Sequence, residues 1–407
     1  ENQLPPEWVY IPGVEYFAGD PGAYVKELNE TMVARSRQRA KAGELARQLT
    51  SQAKTPLEAV SAIRDYVAKS IRQAGPPFTQ LPLKELSAAD TTLADGYGHT
   101  ADQAILLHAL LEAAGFEPEF VLASGLPPIP GVTNVALSFP LPESFQTPLV
   151  RVSVQGQTFY LNDTDQYARM GSTPHDGRLG FRLSDHQWET ITAANDCRDR
   201  TETVYSLSLD DAGKTRLGVT HRYFGGSYNG KNRYFSELPP EERNRYYQEL
   251  VSGLAQGARP LGDLVTKFEA YPGLEQFTVE IDNYGVVDGK YLYFDLPFTP
   301  SLFPAGADRR ALPLFISWRA QNSVRTEIEL PPAFRHLVMA PKSEVIPAPD
   351  GSGKARISAA ETPGKCVIAY EFETSPAIVR PQDYPAILKV ESALGRKSST
   401  VFLLEKE

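Results

Sequence analysis

Cysteine is nearly missing from this 407-residue chain: only Cys197 and Cys366 are present. Two thiols exclude any metal centre built on cysteine. They leave open a pair of reduced thiols or one disulfide. Histidine is also sparse. The six, His99, His108, His175, His186, His221 and His336, show no His-x-x-x-His spacing, so no metal site and no cofactor is expected. No apolar run approaches the roughly 18 residues that a membrane span needs. Cationic excess is absent too. Net charge is -9, which argues against nucleic acid as a partner, because nothing would displace counterions from phosphates. The chain begins at Glu1 without methionine or a signal peptide, as expected of a piece of a longer protein.

What remains is an ordinary globular composition, 42% hydrophobic and 22% charged, long enough for two or three domains. Residues 1 to 20 are rich in Pro, Gly and aromatics, and Trp8, Val9, Ile11 and Val14 suggest a strand. Residues 22 to 50 read as one long polar helix. Thr55-Pro56-Leu57-Glu58 is a helix start, with a cap, a first-turn proline and an early carboxylate. That helix sets Ala59, Val60, Ile63, Val67 and Ile71 on one face.

Residues 91 to 124 organise the chain. Gly96 and Gly98 allow a tight turn. Thr100 is placed to cap the next helix. Ile105, Leu106, Leu107, Leu110 and Leu111 are dense enough for a buried helix, Gly115 marks its stop, and Phe116 to Ser124 leads into a strand. The Pro-rich stretch 125 to 147 is a long loop of the kind that carries function. Leu149 to Val154 and Thr158 to Leu161 alternate around Gln155-Gly156, a two-residue hairpin turn. From Trp188 the chain turns to short alternating runs. Glu202 to Leu209 and Thr215 to Phe224 form a hairpin, Pro239 to Leu254 a helix, and Asp383 to Ser392 a last helix before a strand at Thr400 to Leu404. Many short strands argue for a β-sandwich. Gly225-Gly226-Ser227 and Asp350-Gly351-Ser352-Gly353 read as turns rather than phosphate loops.

Gly98-His99-Thr100-Ala101-Asp102-Gln103-Ala104-Ile105-Leu106-Leu107-His108-Ala109-Leu110-Leu111-Glu112-Ala113-Ala114-Gly115 resembles the nucleophile segment of the bacterial transglutaminase-like superfamily, Gly-Asp-Cys-x-Asp-x-Ala-x-Leu-Leu-x-Ala-Leu-Leu-x-Ala-Ala-Gly. A second stretch is similar to the family's Phe-Asn-His-x-Ile-Val-x-Val, turn, Tyr-x-Leu-Asp-x-Thr-Asp-x-Tyr. Here Phe145-Gln146-Thr147-Pro148-Leu149-Val150-Arg151-Val152 is followed by Tyr160-Leu161-Asn162-Asp163-Thr164-Asp165-Gln166-Tyr167. Thr100 therefore stands at the cysteine, Thr147 at the histidine and Asn162 at the aspartate. The β half resembles the domain of unknown function that follows this core in bacterial envelope proteins.

The resemblance implies an α+β fold, a papain-like core and then a β-sandwich-type domain. The expected division is 1 to 50 as an extended segment and helix, 51 to 187 as the core, and 188 to 407 as the β-rich domain. It also implies a periplasmic or extracellular protein. Thiol catalysis needs a thiolate, an imidazole base and an orienting carboxylate. Threonine, threonine and asparagine supply none of these. The expectation is a non-catalytic binding or scaffold module, with His99, Thr100, Thr147, Asn162 and Asp163 lining its cleft and a peptide, a glycan or an envelope protein as partner. The alternative is an amide-bond hydrolase or acyl transferase using Thr100 with His99 as its base and Asp163 as a displaced carboxylate.

Overall fold

The computed structural model describes residues 1–407 apart from 15–17, 130, 134–143, 163, 164, 304, 305, 307 and 407. The chain divides into two units. One is Pro6–Arg198. The other is Asp199–Glu407 joined by Glu1–Pro5. The division falls later than the expected 187/188, because β7 (Trp188–Thr190) pairs with β6 (Leu179–Arg182) of the first unit.

The first unit is built on α5 (Thr100–Ala113). Residues 101–111 are all buried, so this helix is enclosed on every side, mostly by apolar contacts. Each of Ile105, Leu106, Leu107, Leu110 and Leu111 removes enough surface from water to contribute about 1.5–3 kcal/mol. Around it pack α1 (Pro21–Ser36), α2 (Ala40–Thr50), α3 (Pro56–Ser70) and α4 (Ala89–Asp95). The single helix expected over 22–50 is two, because α1 stops at Ser36 and Arg39 leaves helical geometry, entering α2 with φ -139°. The expected strand near Trp8 is instead one 3₁₀ turn, Glu7–Val9. Thr55 caps α3 as its sequence suggests, accepting from Glu58 N–H at 3.2 Å.

Beyond α5, Gly115 takes φ +89° and Phe116 N–H returns to Leu111 O at 3.1 Å, which stops the helix and sends the chain into β3 (Glu119–Ala123). β3 lies at the centre of a five-stranded antiparallel sheet of order β5-β4-β3-β6-β7, with β4 Thr147–Val154 and β5 Gln157–Leu161. The β4–β5 turn is Gln155-Gly156, both with positive φ, as a two-residue hairpin requires.

The second unit has a nine-stranded sheet in which β8 (Arg200–Leu209), β9 (Thr215–Phe224), β12 (Gly273–Ile281), β16 (Ala320–Glu329), β19 (Gly353–Thr362) and β20 (Lys365–Thr374) are the long members. A four-stranded sheet of β13 (Val286–Asp288), β14 (Tyr291–Asp295), β22 (Val401–Glu405) and β17 (His336–Met339), in that order, shares its core: Leu292, Phe294, Phe402 and Leu404 meet the same cluster as Leu217, Val219, Ile328 and Ile368. Gly225-Gly226-Ser227 is not a turn. It opens α6 (Gly225–Glu237), whose first turn is held by Asp199 accepting from Ser227 N–H at 2.8 Å. α7 (Pro240–Leu254) and α8 (Tyr384–Gly395) follow where expected. The fold is α+β: a helical and five-stranded first unit, then a β-rich remainder. Among the described residues no helix is long and apolar enough to cross a membrane.

Candidate functional site

The first turn of α5 faces the end of the five-stranded sheet where β4 begins and β5 ends. Two short parallel strands, β1 (Arg72–Gln73) and β2 (Tyr97–Gly98), lead into it, with Ala74 N–H donating to Gly98 O at 2.9 Å. Gly98 has to be glycine: a Cβ there would lie 2.7 Å from Asp102 Cβ. Gln103 fastens the helix start from the other side, its amide donating to Ile71 O at 2.9 Å.

His99, not Thr100, caps α5. Its Nδ1 accepts from Ala101 N–H at 3.2 Å and from Asp102 N–H at 3.4 Å. Asp102 completes the reciprocal arrangement by accepting from His99 N–H at 3.3 Å, and its other oxygen takes Ser87 N–H at 2.7 Å. With the Nδ1 lone pair committed to the backbone, the ring hydrogen resides on Nε2. That nitrogen lies 3.3 Å from Asp102 Oδ2 but off the hydrogen-bond line. Burial lowers the His99 pKa, and Asp102 only partly offsets this. His99 is thus a neutral cap with no lone pair available to a neighbouring hydroxyl.

Asn162 has left the β5 ladder and takes φ +107°, a conformation that asparagine tolerates better than most residues. Its side-chain amide donates to Thr100 O at 3.0 Å and to Pro148 O at 2.6 Å. Both partners are carbonyls, so the NH₂ group must face them. Its Oδ1 is then buried and, among the described residues, without a hydrogen-bond partner. Thr147 precedes Pro148 and pairs with Ala123 at the start of β4. Thr100 and Thr147 are both half-buried. The structure therefore brings Thr100, Asn162 and the Thr147-Pro148 step together through Asn162, and places the His99 ring on Asp102. Asp163 lies outside the described residues.

Three further residues shape this end of the sheet. Arg64 is 3% exposed and bonds Ala168 O at 2.8 Å and Asp165 O at 2.9 Å, fixing the segment after β5 against α3. Its sequence signal was a charge set on the apolar stripe of α3, between Val60 and Val67. His175 and Arg178 lie beside the end of β3, where Arg178 donates to Gly125 O at 2.9 Å. Burial, aided by Arg178, lowers the His175 pKa to about 4. His108, stacked on Phe120 at 4.4 Å, is likewise lowered to about 4, chiefly by burial. Both cysteines are buried thiols. Cys197 donates toward Met170 O at 3.5 Å, and Cys366 lies in the second unit. No group of three metal-capable side chains forms among the described residues.

Residues 43–137 match the model of the transglutaminase-like superfamily, a window from α2 through α5 and β3 that contains Thr100 but ends before Thr147. A solved chain described as a "putative protease" from Parabacteroides distasonis shares the fold, with a TM-score of 0.52 at 14% identity. The match covers 93% of this chain and 58% of that one, so this chain spans less than two thirds of its length. No curated protein matches.

Proposed function

We propose that the transglutaminase-like domain is catalytically silent and serves as a binding or scaffold module, in the envelope setting that the sequence resemblance implies. The observation that carries this reading is the Asn162 amide, bonded at once to Thr100 O and Pro148 O. In a working thiol enzyme positions 147 and 162 would hold a base and the acid that orients it. Here an amide donates to two backbone carbonyls and does a structural job that a carboxylate, which only accepts, cannot do. The nucleophile position is a hydroxyl, and His99, the base proposed for it from the sequence, has its Nδ1 lone pair committed to the backbone. The half-buried Thr100 and Thr147 side chains offer hydrogen bonds to a peptide or glycan without chemistry.

The rival reading, Thr100 activated by His99, is opposed by the ring itself. Its Nδ1 accepts two backbone bonds and its Nε2 carries the hydrogen. The test is to incubate the protein with glutamine peptides and amine donors, and separately with amide substrates, scoring cross-linking and cleavage by mass spectrometry. No turnover is expected. Turnover lost in Thr100→Ala would overturn the reading. Thermal shift with peptidoglycan fragments and short peptides then separates binding from a purely spacing role, because a ligand of the native state raises Tm by mass action.

A further inference from the structure

In the second unit the chain leaves a sheet at Ser343. β18 (Glu344–Pro347) pairs antiparallel with β19, from Glu344↔Ile357 to Pro347↔Lys354. β19 runs on to Thr362, paired on its far side with β20 as far as Thr362↔Lys365. Upstream of Glu344 the chain departs to form β17 (His336–Met339) of the other sheet. Residues Ala359–Thr362 are left as an exposed edge.

The polarity of that edge follows from the ladder. Ala348 N–H donates to Gly353 O at 2.9 Å, so the backbone groups of Gly353, Ala355, Ile357, Ala359 and Glu361 point to the β18 side. Ala359 N–H obeys this: it donates to Ser343 Oγ at 3.0 Å, a hydroxyl standing where a strand carbonyl would be. The next groups in the series, Ala359 C=O and then Glu361 N–H and C=O, face outward with no strand beside them.

The same residues border a cavity of about 570 Å³. Ala359 and Glu361 share a face with their cross-strand neighbours Ile368 and Cys366, both buried. Cys366 and Ile368 give an apolar floor, while Lys342 and Glu361 stand at the rim. Arg396, also at the rim, is bound to Glu344 and to Ser399 Oγ. An edge that alternates acceptor and donor, beside a pocket with ample room for a side chain, is how a sheet takes up an extended chain. The geometry points to Ala359–Thr362 as a binding site for an extended peptide, paired through its backbone to Ala359 and Glu361 and seating one apolar side chain against Cys366 and Ile368. A compact apolar molecule would use the pocket and ignore the edge, which is the distinction the experiment has to draw.

Burial and Glu361 push the Cys366 thiol up to about 11, so its alkylation is slow and sensitive to cover. The probe is a pool of acetylated, amidated tetrapeptides randomised over apolar residues at alternate positions, given to the full chain at millimolar concentration. The readouts are hydrogen exchange at the Glu361 amide, with Thr362, whose N–H faces β20, as the internal control, and iodoacetamide labelling of the Cys366 peptide. The expected result is that both slow several-fold. A pool N-methylated at alternate amides leaves both unchanged, and Ala359→Trp, which fills the pocket, abolishes the effect. Ser343→Ala frees one more edge donor at an exposed position and strengthens protection, which guards against misfolding of the Trp variant. No protection in either wild type or Ser343→Ala overturns the proposal. Equal protection by the N-methylated pool also overturns it, since that is a pocket ligand without strand pairing.

Discussion

The side-chain amide of Asn162 donates to the backbone carbonyl of Thr100 at 3.0 Å, tying the end of β5 to the first turn of α5. A second bond from the same nitrogen, to Pro148 O, brings in the start of β4. Three elements that would hold a nucleophile, a base and an acid in an active relative are joined here by one neutral group. The joint has a chemical consequence: two converging acceptors demand a donor, and an acid at position 162 would set oxygen against oxygen.

Restoring the acid alone should therefore harm the protein. Asn162→Ala loses two bonds and leaves two carbonyls unmet, at a cost of about 1–3 kcal/mol. Asn162→Asp should cost more, because it adds a charge facing two acceptors. Urea midpoints at neutral pH check the order. An Asp variant as stable as wild type would mean that the two carbonyls do not define this position.

His99 acts through its cap. His99→Ala should lose about 1 kcal/mol, and His99→Asn or His99→Ser should recover most of it, since each offers an acceptor at the same place. Thermal unfolding of the three variants reads this directly. Equal loss in all three would point to packing of the ring rather than to capping.

Acid should weaken the first unit. His108 and His175 both have folded pKa values near 4, below the unfolded value of about 6.5. The unfolded chain then takes up protons first. The stability tied to each histidine is fully present above pH 6.5 and drains away as pH falls from 6.5 toward 4, by up to about 3 kcal/mol per group. His108→Gln should flatten the difference in urea midpoint between pH 7 and pH 4.5. A wild-type midpoint that tracks the variant across that range contradicts the assignment.

Much of this was legible in the residues. The apolar density of α5, the Gly115 stop, the Thr55 cap and the Gln155-Gly156 turn are local signals, and local hydrogen bonding decides them. The cap of α5 was misplaced by one residue because threonine is the commoner cap. The reciprocal bond from His99 N–H to the Asp102 carboxylate is what makes the histidine fit. The break at 37–39 was hidden because polar residues on both sides suit a helix equally well. The start of α6 at Gly225 was masked by glycines that read as a turn, and a carboxylate from distant sequence, Asp199, holds it. The amide bridge of Asn162 was not readable at all, since it depends on a positive φ and on carbonyls 62 and 14 residues away.

The central claim is that, among the described residues, no base lies within reach of position 100. Thr100→Cys puts a reporter there, and its pH profile of iodoacetamide alkylation, read on the peptide that carries it, measures the thiol directly. An ordinary apparent pKa, about 8 or higher, is expected, because neither His99 nor Thr147 can take its proton. An apparent pKa below about 7 that returns to normal when His99 is also changed to Gln would contradict the account, for it would show an imidazole already poised beside the nucleophile position.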